Sequence, residues 1–272
     1  MKQVLFVGAG QEFPQGPFTF LRMLQQDERI HARALFFKPI DYASLAAVTA
    51  GTRIEPILAL EEQENATIAA HKTQFARQCE QHYITYTIHD NTAEWQKDVL
   101  IKESRFADLL LISGELFYAD AATGQPNHFL HEVLHHAECP VLVVPENFHA
   151  VQHLFIAYDG SKESIYALKQ FCYLFPQLTA LPAQMVYLNK EATDDIPDLD
   201  LFKQFTRLKF ESLGHSKLYF KSADLTTWLS EKQQGLLVTG SFGRSTLSYL
   251  AKPSFADTVI RDHQVPVFIA HH

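Results

Sequence analysis

The sequence predicts an α/β fold of two tandem, doubly wound, mostly parallel five-stranded sheets, and three observations lead there. The first is an internal repeat. Leu109-Leu110-Leu111-Ile112-Ser113-Gly114 precedes Pro140-Val141-Leu142-Val143-Val144 by the same interval that separates Leu236-Leu237-Val238-Thr239-Gly240 from Pro266-Val267-Phe268-Ile269-Ala270, and the two copies stand 126 positions apart without a gap. The second is the character of these runs. They are short, almost continuously apolar and rich in branched residues, as parallel strands buried on both faces read. The third is the correspondence of the two starts, Leu5-Phe6-Val7 with Leu154-Phe155-Ile156, at an offset of 149.

Each half alternates strand and helix, which requires right-handed crossovers in a mostly parallel sheet. The first half, residues 1–146, is longer by 23 positions, and the excess falls at about residues 38–75. There Asp41 to Thr49 and Glu61 to Phe75 read as helices or a helix-containing insertion, with Pro56 interrupting between them. In the second half, residues 151–272, strands are expected over Leu154 to Tyr158, Gln184 to Leu188, Lys217 to Phe220, Leu236 to Thr239 and Val267 to Ala270. Asn147-Phe148-His149-Ala150 is the expected joint.

Composition narrows the function classes. A chain of 272 residues with 47% hydrophobic content and a net charge of −8 describes packed globular domains that would repel a nucleic-acid backbone, and no run of Lys and Arg offers a local exception. The apolar stretch Val4 to Val7 is too short for a signal-peptide core or a membrane span, so a cytoplasmic location is expected. Cys79, Cys139 and Cys172 form no C-x-x-C pair and lie in apolar or aromatic neighbourhoods, which fits buried, reduced thiols.

The chemistry-bearing residues gather in the second half. Tyr158-Asp159-Gly160-Ser161-Lys162-Glu163-Ser164 ends a strand in an aspartate followed by small polar residues that start a helix. Gly240-Ser241-Phe242-Gly243-Arg244-Ser245, with Pro253-Ser254 further on, places glycines and a hydroxyl after another strand. Ligands of open α/β sheets bind beyond the carboxyl ends of the strands, where Asp159 and Gly240 both fall. Glycine lets a backbone approach a phosphate, following N–H groups form an anion nest, and Ser254 would open the last helix with its dipole.

These stretches, with the closing Val259-Ile260-Arg261 and Val265-Pro266-Val267-Phe268, resemble the universal stress protein family. The second stretch is similar to that family's G-x2-G-x9-G-[ST] phosphate signature. The resemblance covers residues 151–272 and, through the repeat, extends more weakly over residues 1–146. It implies an adenine nucleotide alpha-hydrolase-like, Rossmann-like fold and an adenine nucleotide such as ATP, with only a nucleotide-associated Mg as metal. The residues it implies are Asp159, Gly160, Ser161, Leu188 against the base, Gly240, Gly243, Arg244 and Ser254. It also implies an intrachain pseudo-dimer through the last strands, Val141 to Val144 against Val267 to Ala270, with room for further homodimerisation. One departure matters: Pro253 replaces the third signature glycine, removing an N–H where the backbone would curl around a phosphate. In the first half the matching positions hold Phe117, His128 and Gly10, so that half is expected to have lost the site.

Other motifs carry less. His131-Glu132-Val133-Leu134-His135 matches the zinc pattern H-E-x-x-H, with His128 on the same face. The repeat instead places it on a final amphipathic helix, with His131 and His135 at the surface-type positions of Asp257 and Arg261. Gly8-Ala9-Gly10 lacks the third glycine of a dinucleotide fingerprint, and neither a Walker loop nor a nucleophile elbow occurs. The expectation is a stress-response binding protein, not an enzyme, with no nucleic-acid or membrane partner. A slow ATP-hydrolysing or metal-dependent enzyme and a scaffold without nucleotide are the alternatives.

Overall fold

The computed structural model describes residues 1–9, 12–37, 55–89, 96–115, 133–188, 195–218, 228, 234–240, 259–260 and 265–271. Its first half runs through β1 (Lys2–Ala9), α1 (Gln15–Asp27), β2 (Ile30–Phe37), α2 (Glu55–Gln81), β3 (Thr85–Ile88), α3 (Gln96–Ser104), β4 (Leu109–Ser113) and β5 (Val141–Val144). The second contains β6 (His153–Tyr158), α4 (Lys162–Leu174), a 3-10 turn (Pro176–Ala180), β7 (Ala183–Leu188), α5 (Leu199–Arg207), β8 (Leu213–Leu218), β9 (Gly235–Thr239) and β10 (Val267–Ile269).

The strands form one ten-stranded sheet in the order β3-β2-β1-β4-β5-β10-β9-β6-β7-β8. The second run of five mirrors the first. Within each run every pairing is parallel. The runs meet where β5 and β10 pair antiparallel, with Val267 opposite Val143, Phe268 opposite Leu142 and Ile269 opposite Val141. The two five-stranded runs read from the sequence are thus continuous.

Continuous apolar strands arise because both faces of the sheet are covered. Successive side chains alternate between faces, so Val4 and Phe6 of β1 enter one core while Leu5, Val7 and Ala9 enter the other. Leu142 and Phe268 share the first core across the seam, and Val141, Val143, Val267 and Ile269 share the second. The first face is covered by α1, α2, α4 and α5. Their apolar stripes follow helical spacing: Ser164, Ala167, Leu168, Phe171 and Cys172 are the buried residues of α4. The second face takes Val99 and Leu100 of α3, then Val133 and Leu134, and Val259 and Ile260, all buried. These last two pairs are equivalent in the repeat, as expected of an amphipathic helix used twice. Phe37, Phe202 and Phe210 are core residues, and Phe36 and Phe205 pack against the core.

Two expectations are corrected. Pro56 does not interrupt a helix but lies in the first turn of α2, a single helix of 27 residues. A proline's missing N–H is tolerated there because first-turn amides have no intrahelical partner. Asp41 to Thr49 lies outside the described residues. The third strand of the second half is Leu213–Leu218, which begins four residues before the expected Lys217 to Phe220 and overlaps it at Lys217 and Leu218. Among the described residues it has one neighbouring strand, β7, so Gly214, His215 and Ser216 are tolerated and the apolar pattern misleads. The expected joint is packed against the first half. Phe148 is buried with its ring 5.4 Å from that of Phe20, and Lys2 Nζ of the first half donates to the Leu174 carbonyl of the second.

Among the described residues no helix is long and apolar enough to cross a membrane. Cys79, Cys139 and Cys172 are free and buried. Burial pushes their thiols up to about 12, about 12 and about 11, far from the reactive thiolate range.

Candidate functional site

The strand order reverses at β6, with β7 and β8 on one side and β9 and β10 on the other. Such a switch point opens a crevice at the carboxyl ends of the strands. Asp159 follows β6 and Gly240 follows β9. The parallel register of Ile156 with Val238 sets those two ends side by side. On the other flank Tyr158 pairs with Tyr187, which places Leu188, the last residue of β7, beside Asp159.

The turn from β6 into α4 is built by its small polar residues. Asp159 is exposed, and its Oδ1 accepts from the Ser161 N–H at 2.9 Å, closing an Asx turn. Gly160 has φ +78°, a left-handed conformation that glycine adopts without penalty. Ser161 caps α4, its Oγ accepting from the Ser164 N–H at 3.1 Å, while the Ser164 hydroxyl donates to the Ser161 carbonyl at 2.8 Å. Gly240 lies directly on that first turn. A Cβ there would stand 2.1 Å from the Glu163 carbonyl carbon, 2.2 Å from its oxygen and 2.4 Å from the Ser164 nitrogen. The end of β9 and the start of α4 therefore form one surface, and only a residue without a side chain permits it.

Asp159, Gly160, Ser161, Leu188 and Gly240 are thus gathered at one edge of the sheet. Gly243, Arg244 and Ser254, with Pro253, lie outside the described residues. So do His128 and His131. His135 is half-buried, and its carbonyl is 3.2 Å from Nε2 of His271. Among the described residues no cluster of three or more His, Cys, Asp or Glu side chains could hold a metal ion.

The first half holds a feature that motif reading missed. Where α4 caps itself with Ser161, α1 has Pro14 at its N-cap and no local side-chain cap. The Gly16 N–H instead donates to Oε2 of Glu146 at 2.9 Å, a carboxylate arriving from beyond β5. The Glu146 N–H donates in turn to both oxygens of Glu115, at 2.9 and 3.0 Å, and the Ser113 hydroxyl lies 3.4 Å from Glu115 Oε2. Gly16 is needed for this closure, since a Cβ there would stand 2.0 Å from the Pro145 carbonyl oxygen. The carboxyl edge of the first half is therefore lined by the chain's own carboxylates, which would repel a phosphate.

Burial holds the Glu146 carboxyl above the ordinary carboxylate range, and the neighbouring Glu115 charge adds to this; the Ser113 hydroxyl and the Gly16 and Gln15 amides oppose it. Its Oε1 is buried without a hydrogen-bond partner. A carboxyl whose pKa is higher folded than unfolded contributes stability at low pH that is lost as pH rises through the folded value. Glu146→Gln keeps an acceptor for Gly16 and gains a donor toward Glu115. It is expected to be more stable than the native chain at neutral pH, with the advantage shrinking in mild acid. Urea unfolding across that range checks this; a variant weaker at neutral pH would show that the ionised carboxylate is net favourable at the α1 N-terminus.

No family model and no curated protein matches the sequence. Solved structures do match. The chain is similar to a universal stress protein from Archaeoglobus fulgidus, with a TM-score of 0.70 and 16% identity over 99% of this chain and 96% of that one. It is also similar to a putative universal stress protein from Pseudomonas aeruginosa, with a TM-score of 0.53 and 12% identity over 100% and 93%. Identities this low speak to architecture, and the architecture is matched over the whole length of the chain. The mirrored ten-stranded sheet thus has the fold of these two structures.

Proposed function

We propose that the chain is a tandem universal stress protein, with domains at residues 1–146 and 151–272 joined as a pseudo-dimer, whose second domain binds an adenine nucleotide as a regulatory ligand without efficient turnover. One observation carries this reading: Gly240 seats the end of β9 on the first turn of α4, beside Asp159, at the switch point of the second run. Such a surface offers a close backbone approach and helix N–H groups to a phosphate, and a carboxylate to ribose hydroxyls. The first domain, with Glu115 and Glu146 at the corresponding edge, serves as a packing partner. A cytoplasmic protein using no metal beyond nucleotide-associated Mg fits this reading.

Calorimetric titration with AMP, ADP and ATP tests it. Binding is expected at one site per chain and is expected to weaken at least about tenfold in Asp159→Asn, which keeps the acceptor for Ser161 but loses the charge-assisted bond to the ligand. No binding by the native chain would make it a scaffold. Phosphate release well above buffer, lost in the same variant, would make it an enzyme.

A further inference from the structure

Residues 195–198, which lead into α5, lie over the end of β6. Ile196 is buried in the core, Pro197 and Asp198 are exposed, and α5 begins at Leu199. Tyr158, the last residue of β6 and 3% exposed, donates from its hydroxyl to the Pro197 carbonyl at 2.8 Å. Its ring lies 4.5 Å from that of Phe202 in α5. The Pro197 ring presses on Gly160, with Cβ and Cγ 2.7 and 2.9 Å from where a glycine Cβ would point. Asp198 completes the turn into α5 at φ +48°, a left-handed conformation that an aspartate holds when its surroundings over-determine it. Anchors lie on both sides, Ile196 before it and Phe202 after.

We propose that residues 195–198 form a strap that walls the β7 side of the crevice, and that Tyr158 is a positioning residue which holds the strap where a ligand's base would lie. This rests on the nucleotide reading above. The two flanks of Asp159 differ in chemistry. On the β9 flank Gly240 and the start of α4 present backbone to a phosphate. On the β7 flank stands the exposed Pro197 ring, which suits a flat heterocycle, while the exposed Asp195 and Asp198 on the strap disfavour phosphate there. Gly160 owes its identity to the strap as well as to its own conformation. Asp159 and Asp198 both lie close enough to hold the Tyr158 hydroxyl in its protonated, donating form, second to the effect of burial.

The test compares AMP with ribose 5-phosphate, which shares the sugar and phosphate but lacks the base, the weaker ligand being measured by displacement of AMP. Tyr158→Phe removes only the hydroxyl that holds the strap. Pro197→Gly removes the ring and keeps the carbonyl. Each is expected to weaken AMP by about tenfold while leaving ribose 5-phosphate within about twofold, with the melting temperature recorded to confirm folding. AMP affinity unchanged in both variants, or both ligands weakened alike, would overturn the strap while leaving the nucleotide reading intact. A native chain that binds neither ligand would sink that reading, and the strap with it.

Discussion

Phe268→Ala is expected to destabilise the whole chain by about 3–5 kcal/mol, the usual cost of emptying a buried phenylalanine site. Phe268 is wholly buried in β10, opposite Leu142 across the antiparallel seam. Its ring lies 5.5 Å from Phe171 and 5.7 Å from Phe175. Phe175 in turn lies 6.0 Å from Phe20 of the first half, and Phe20 meets Phe148 of the joint. A cavity at this point removes contacts that both halves share, and the surrounding strands and helices are too constrained to collapse into it. Against the 5–15 kcal/mol that typically holds a folded protein together, roughly a third of the margin would go. Urea unfolding followed by circular dichroism should show one transition moved to lower denaturant. Two separated transitions, or a loss below about 1 kcal/mol, would mean that the seam does not couple the halves.

Gly240→Ala is expected to be nearly as damaging and to act on function as well as stability. The added methyl would meet three backbone atoms of Glu163 and Ser164, all within 2.4 Å. No side chain can turn aside to admit it. Either α4 must move away from β9 or β9 must leave its register with β6. Overpacking of this kind costs typically 1–3 kcal/mol and more where backbone must shift. The same displacement would part the two walls of the crevice, so AMP binding should be lost even under conditions where the variant is folded. Measuring the melting temperature and the AMP isotherm on one sample separates the effects. A variant that binds normally would remove Gly240 from the site.

Much of this architecture is legible in the sequence, for identifiable reasons. β4, β5, β9 and β10 are buried on both faces and flanked by strands, so burial leaves them apolar but for Ser113 and Thr239 at their ends, and the repeat shows them twice. β8 was misplaced because an edge strand escapes that constraint. The glycines and the aspartate at the strand ends are also legible, since Asp159, Gly160, Ser161 and Gly240 follow apolar runs that stop abruptly. What could not be read is what those glycines make room for. Gly16 admits Pro145 and the Glu146 carboxylate, and Gly160 admits Pro197, partners brought close only by the folded sheet. Glu115 and Glu146 carry no motif, being 31 residues apart and joined by a hydrogen bond from the Glu146 N–H to the Glu115 carboxylate. The one available hint was a glycine in the first turn of an otherwise ordinary amphipathic helix.

The antiparallel seam also bears on how copies of the chain can meet. Because β5 and β10 satisfy each other inside one molecule, neither offers its backbone to a neighbour, and among the described strands the two ends of the sheet are β3 and β8. β3 is four residues long and alternates exposed with half-buried positions, and β8 carries His215, Ser216 and Lys217. Short, polar or lysine-bearing borders discourage strand addition, and the fused arrangement turns what could be a mating edge into an interior.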